Sequence, residues 1–222
     1  MSASKNREAP TSPSAAGRGV VTESIEDSRK FVLEHMKSYS VKVAAPGEWF
    51  KLASGGKSKL YIDAKRTVLH RKVHQPLAAL LLHEIRALGH VDAVAGVVLG
   101  GCHLASLAAT SSAVRGESLY NVVFVRKTPK DHGTGHVVEH AWSRFGEWVV
   151  LLEDVLSTGA TAKHALKALR DEGFDVRGVI ALLDRRPLGT RTDAIEGVPL
   201  RSVYRLEDLG LSKDDLAQIQ ES

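Results

Sequence analysis

The run Trp148-Val-Val-Leu-Leu-Glu-Asp-Val-Leu-Ser-Thr-Gly-Ala-Thr161 leaves few folds open to this chain. Its apolar beginning is continuous rather than alternating, the mark of a strand covered on both faces, which belongs in a parallel sheet flanked by helices. Two adjacent carboxylates, Glu153 and Asp154, arrive at the carboxyl end of that strand, and small hydroxylated residues, a glycine and the start of a helix follow. Open α/β sheets bind ligands outside the carboxyl ends of their strands. The free N–H groups of a helix N-terminus attract anions such as phosphate. Ser157, Thr158 and Thr161 supply hydroxyl donors, and Gly159 allows close backbone approach to a ligand. The carboxylates would repel a phosphate, so they are expected to face hydroxyl groups or a hard cation. The bland alternative is a strand, a turn and a helix with acidic caps.

The rest of the chain extends the same pattern. Residues 25–36 carry apolar side chains at helical spacing behind a Ser24/Asp27 pair that resembles a capping box. Two short extended runs between 49 and 62 are broken at Ser54-Gly55-Gly56. Pro76 opens a helix expected to stop at Gly89. Strand-length apolar runs at 93–99, 121–125, 148–152 and 176–183 then alternate with helical stretches at 104–114 and 161–172. Residues 200–204 add an edge strand, and a terminal helix is expected from about 213. The expected fold is α/β, a doubly wound, mostly parallel sheet flanked by helices, with a small N-terminal hairpin-and-helix hood. A length of 222 residues, 43% of them hydrophobic, suits one such domain. The expected division is a disordered tail over 1–20 and a single domain over 21–222, with the hood at 21–70 plus the C-terminal part and the core at 71–185. Residues 127–145, dense in Lys, His, Gly and Thr, show no core-forming period; long interruptions of this kind are usually functional.

Charge narrows the partners less. A formal net charge of +4, with a pI near 9.2, suits nucleic acid or a small polyanion equally. No apolar run reaches the roughly 18–20 residues that span a membrane, and the first residues lack the apolar stretch of a secretory signal. Cys102 is the only cysteine, so no internal disulfide can form, which fits a reducing cytoplasm.

Glu153-Asp-Val-Leu-Ser-Thr-Gly-Ala-Thr161 resembles the motif by which type I phosphoribosyltransferases bind phosphoribosyl pyrophosphate (PRPP). By that resemblance Glu153 and Asp154 contact ribose hydroxyls, while Ser157, Thr158, Gly159, Ala160 and Thr161 cradle the 5′-phosphate. Four further segments are similar to orotate phosphoribosyltransferases in particular. Phe50-Lys-Leu-Ala-Ser-Gly-Gly-Lys-Ser-Lys-Leu-Tyr-Ile-Asp63 resembles the hairpin that closes over the base, with Ala53 where some members carry a PRPP-binding lysine. Gly96-Val-Val-Leu-Gly-Gly-Cys-His-Leu-Ala105 stands where the family has its pyrophosphate-binding turn, which makes Gly100 and Gly101 PRPP contacts; Cys102 and His103 depart from the family's usual residues there. Val125-Arg-Lys-Thr-Pro-Lys-Asp-His-Gly-Thr-Gly135 resembles the mobile catalytic loop, with Arg126 and Lys127 as PRPP contacts and Lys130, Asp131 and His132 as catalytic residues. Ile180-Ala-Leu-Leu-Asp-Arg-Arg-Pro-Leu-Gly189 places Arg185 where the family binds the orotate carboxylate, and Ser157 is a second orotate contact. A guanidinium fork fits a planar carboxylate; the bland reading of this segment is an ion pair at a strand end.

The resemblance implies an orotate phosphoribosyltransferase of pyrimidine nucleotide biosynthesis. It implies Mg2+ held mainly by substrate, with Asp154 as a further ligand, and a cytoplasmic homodimer that shares the catalytic loop between subunits. Two alternatives stay open: an enzyme for another base, purine or modified pyrimidine, and a PRPP-sensing regulator that binds nucleic acid. The Lys130/His132 loop argues for an enzyme, since clustered cations stabilise charge developing on a departing pyrophosphate. His132, His136 and His140 would share a helix face, but Gly133 and Gly135 oppose a helix, so no transition-metal site is expected. His70, His74, His83 and His90 are expected on the solvated face or ends of the Pro76 helix, and Trp49 and Trp148 in core or hairpin packing.

Overall fold

In a computed structural model the described residues are 24–45, 47–51, 56–128, 136–141 and 146–211. The chain opens with helix α1 (Ile25–Tyr39), whose Ser24 cap accepts the Asp27 N–H at 3.0 Å. Ser28, Val32 and Met36 recur at helical spacing and form its buried face. Strand β1 (Val41–Val43) pairs antiparallel with β4 (Leu60–Ile62), and β2 (Phe50–Lys51) pairs with β3 (Lys57–Ser58). A single turn, α2 (Lys65–Val68), leads into α3 (His74–Arg86). These elements correspond to the expected hood and to the Pro76 helix, which begins two residues ahead of its proline.

The core alternates as the apolar runs require: β5 (Ala93–Val97), α4 (Gly100–Val114), β6 (Asn121–Val125), β7 (Val138–Glu139), β8 (Trp148–Leu156), α5 (Ala160–Asp171), β9 (Asp175–Asp184), β10 (Ala194–Ile195) and β11 (Val198–Arg205). They form one seven-stranded sheet in the order β10-β11-β9-β8-β5-β6-β7. Its five central strands are parallel and the two outer ones, β10 and β7, are antiparallel. Within β8 the two faces alternate: Val150 and Leu152 join the core beneath α3 and α4, while Val149 and Leu151 pack on the α5 side.

Four local expectations change. Strand β8 continues to Leu156, so Glu153 and Asp154 lie inside it, held by pairing with β9. Strand β11 is not the edge, because β10 covers it. Within 127–145 the two-residue β7 returns to pair with β6 and buries Val138, an element too short to display a period. Trp148 lies at the exposed foot of β8, not in the core, with the Arg177 guanidinium 3.9 Å from its ring centroid. The expected terminal helix from 213 lies outside the described residues.

Helix α1 is tied to the core through Glu84 of α3, a carboxylate only 4% exposed. It takes Arg201 of β11 at 2.7 Å and Arg29 of α1 at 3.4 Å. Arg29 also bonds the Val203 carbonyl, and Tyr204 donates to the Arg29 carbonyl at 2.8 Å. A buried carboxylate needs such partners. Glu84→Ala should cost about 2–3 kcal/mol in urea unfolding, below the value for a fully buried pair because both guanidiniums are part-exposed and can rehydrate.

Candidate active site

Strand order reverses between β5 and β8: the chain lays β6 on one side of β5 and β8, β9 and β11 on the other. A crevice opens at the carboxyl ends of strands flanking such a switch point. The turn after β5 lies against the end of β8 with no room for side chains. A Cβ on Gly100 would sit 2.0 Å from Asp154 Oδ2, one on Gly101 would lie 2.5 Å from the Leu152 carbonyl oxygen, and one on Gly96 would lie 2.1 Å from that of Gly101. Helix α4 therefore starts at Gly100 and aims its first turn at the acid pair.

Glu153 and Asp154 differ in environment. Glu153 is 7% exposed, and its Oε2 has no hydrogen-bond partner among the described residues. Burial first, then the Asp154 charge, push its carboxyl up to about 8; nearby Lys127 opposes the shift. Asp154 is half-buried and accepts the Val155 N–H at 2.9 Å. It also contributes to raising the pKa of Lys65, although the hydrogen bond from Lys65 to Asp63, at 2.7 Å, contributes more. Lys65 and Asp63 carried no sequence signal; the hood brings them here. Cys102 donates to the Gly96 carbonyl at 3.4 Å, and burial pushes its thiol up to about 11, in keeping with a small packed hydrophobe.

After β8, residues 157–159 lead into α5. Gly159 adopts φ +80°, the left-handed conformation glycine enters freely, and Thr158 Oγ1 accepts the Ala160 N–H at 3.3 Å. A cavity of about 380 Å3 lies between Ser157, Thr158 and Gly159 on one wall and residues of the β9–β10 connection, among them Arg186, Thr190 and Thr192, on the other. Lys163 and Glu196 pair across its rim at 3.1 Å.

At the end of β9 the two arginines have different fates. Arg186, not Arg185, pairs with the buried Asp184, in a two-point contact of 3.0 and 2.9 Å. The chain bends at Arg186, just past the strand end, and the Arg186 N–H donates to Asp184 Oδ1 at 3.0 Å, which brings the Arg186 side chain back to that carboxylate. Arg185 is held by its backbone N–H on the Leu156 carbonyl at 2.9 Å, directly beside Ser157. Its half-buried guanidinium has no partner among the described residues, and burial lowers its pKa.

Arg126 and Lys127 follow β6. Arg126 pairs with Glu139 of β7 at 2.9 Å, and its carbonyl meets His164 of α5 at 3.1 Å. Lys130, Asp131, His132 and Ala53 lie outside the described residues. His136 and His140 flank Glu172 at 3.5 and 4.0 Å. His74 opens α3, at the expected end of that helix; its ring lies 5.2 Å from that of His103, and the Nε2 of each is buried without a partner among the described residues. Of the residues singled out from the sequence, the structure brings together Glu153, Asp154, the glycine turn, the hydroxyl loop and the Arg185 backbone; Lys65, Lys163 and the bracket formed by Arg186 join them without having been singled out.

No protein-family model matches the chain. It is 40% identical over 158 residues to the orotate phosphoribosyltransferase of Sorangium cellulosum, covering 71% of this chain and 82% of that one. To the orotate phosphoribosyltransferase of Aquifex aeolicus it is 36% identical over 174 residues, 78% of this chain and 93% of the other. Among solved structures, the orotate phosphoribosyltransferase of Mycobacterium tuberculosis in complex with PRPP superposes with a TM-score of 0.62 at 27% identity, covering 83% of this chain and 99% of that one.

Two outcomes are expected. Gly100→Ala forces a methyl into Asp154 and should weaken PRPP binding about tenfold or more by calorimetry. Glu153 has a folded pKa raised above its ordinary value, so its contribution to stability is present below about pH 4.5 and is lost as pH rises toward 8. Thermal unfolding of the ligand-free protein should therefore show Glu153→Gln gaining on the parent from pH 5 to 8, by at most about 1.4 kcal/mol per pH unit. A pH-independent gap would mean that Glu153 is ionised throughout.

Proposed function

The chain belongs to the orotate phosphoribosyltransferase family, and on that premise we propose that it joins orotate to the ribose of PRPP, giving orotidine 5′-phosphate and pyrophosphate. The observation that carries this reading is Arg185, whose guanidinium has no partner among the described residues and whose backbone N–H, just after β9, is held by the Leu156 carbonyl next to Ser157. A half-buried cation without a partner among the described residues suits an anionic ligand, and a planar carboxylate fits its fork.

In this reading Glu153 and Asp154 receive the ribose hydroxyls, and Ser157, Thr158, Gly159, Ala160 and Thr161 hold the 5′-phosphate at the α5 N-terminus. Gly100 and Gly101, with Arg126 and Lys127, face the pyrophosphate. Arg185 and Ser157 bind orotate. Lys130, Asp131 and His132 form the catalytic loop: its cations meet charge that develops as the ribose–pyrophosphate bond breaks, and so favour the transition state over the ground state. Closure of that loop excludes water from the electron-poor ribosyl carbon and limits hydrolysis of PRPP.

A hard divalent ion fits the donor set, since Glu153 Oε2 is buried without a hydrogen-bond partner among the described residues and Asp154 adjoins it. We assign magnesium to Asp154, with substrate oxygens and water completing its shell; when bound it neutralises charge on the pyrophosphate. The proposed active form is a cytoplasmic homodimer in which each catalytic loop serves the neighbouring subunit. Among the described residues no helix is long and apolar enough to cross a membrane.

Mixing the protein with orotate, PRPP and magnesium should remove orotate absorbance, and Lys130→Ala should abolish the loss. Arg185→Ala should raise the orotate KM about 30-fold or more, the worth of a charge-assisted bidentate contact. Chelation of divalent ions should stop turnover and magnesium should restore it. No turnover of orotate while PRPP still binds would point to another base.

A further inference from the structure

Two arginines follow one buried carboxylate at the end of β9, and only Arg186 is paired with it. Asp184 is 3% exposed, and a carboxylate so buried must be paired. Arg186 takes it with Nε to Oδ1 at 3.0 Å and Nη2 to Oδ2 at 2.9 Å, and the Arg186 N–H adds a third bond to Oδ1 at 3.0 Å. The other side of the same guanidinium crosses the β9–β10 connection to Thr192, at 3.0 Å to its carbonyl and 3.3 Å to its hydroxyl. Arg191 closes the turn by donating to the Arg186 carbonyl at 2.8 Å and is itself held by Glu207 at 2.8 Å. Arg186 and Arg191 are thus each paired with a carboxylate, whereas the Arg185 guanidinium has no partner among the described residues.

We propose that Arg186 is a positioning residue for the base: by occupying the Asp184 carboxylate and bracing Thr192, it keeps the adjacent Arg185 guanidinium free for an anionic group of the substrate. Without Arg186, Asp184 becomes an unpaired buried acid one residue from a mobile cation. Capture of Arg185 by that acid is then the nearest way to neutralise it. The base would lose its ligand although every residue that touches substrate is still present. This rests on Arg185 as the orotate ligand, so the parent enzyme's turnover of orotate is measured first, and its absence would remove both readings together.

The test is steady-state kinetics of Arg186→Ala and of the double variant Asp184→Asn with Arg186→Ala. The single variant should raise the orotate KM about tenfold or more, while the PRPP KM and kcat stay within about threefold. The double variant removes the competing carboxylate and should bring the orotate KM back to within about threefold of the parent, although its melting temperature stays lowered. What separates positioning from loss of stability is that both the loss and the recovery are confined to the orotate KM, since a general loss of structure would move kcat and the PRPP KM as well. Arg186→Gln, whose amide can still bond Thr192 but leaves Asp184 without a cation, carries the same test if the alanine variant does not fold. An unchanged orotate KM, a rise in the PRPP KM instead, or a double variant no better than the single one would overturn the proposal.

Discussion

The contact between the turn after β5 and the end of β8 is the constraint on which the rest of the site depends. Backbone meets backbone and carboxylate there at distances that admit no Cβ, at Gly96, Gly100 and Gly101 alike. The approach sets where α4 begins, which way the Asp154 carboxylate faces, and how narrow the crevice is at the reversal of strand order. Parallel pairing of β8 with both β5 and β9 holds the two sides in register, so the acid pair, the glycine turn and the Arg185 backbone are placed by the most deeply buried part of the sheet. A site mounted on rigid strands needs little further ordering when its ligand arrives.

The electrostatics follow from that crowding. Two carboxyls side by side, one of them buried, cannot both ionise readily without a cation or a hydrogen-bond donor from outside. Lys127 eases the strain on Glu153, and Lys65, from the hood, lies within the field of Asp154. Basic residues of the hood and of the segment after β6 therefore converge on one acidic strand end. The ligand-free protein holds Glu153 near its neutral form, a state that a polyhydroxyl group or a metal ion would relieve. Local stability is spent here on readiness to bind, a conflict common at functional sites.

Much of this was legible in the residues. Continuous apolar runs mark β5, β6, β8 and β9, because strands covered on both faces have no polar side to alternate with. The acid pair, the hydroxyl loop and Gly159 are contiguous, so their joint meaning survives without any knowledge of the fold. What escaped depends on distance in the chain or on brevity. Strand β7 is two residues long and shows no periodicity. Lys65 and Asp63 reach the site only because the hood folds over it. Trp148 looks like a core residue by type, yet its place at the foot of β8 leaves it stacked beneath Arg177. The Asp184-Arg185-Arg186 run was open to the wrong pairing; the turn after β9, in which the Arg186 N–H bonds Asp184, decides between neighbours where composition cannot.

The segment proposed to read the base and the segments proposed to hold PRPP occupy different connections of the sheet. Arg185 stands after β9 and is braced from Thr192 and Glu207, whereas the acid pair and the hydroxyl loop belong to β8. The two are joined by the β8–β9 pairing, by the Arg185 N–H bond to the Leu156 carbonyl and as the walls of one cavity, with no side-chain bond between them among the described residues. Ser157 is proposed to touch both ligands, so a change in the connection after β9 is felt at the wall it shares with the hydroxyl loop. Descent toward another nucleobase on this scaffold would have to keep that shared wall while rewriting what faces it.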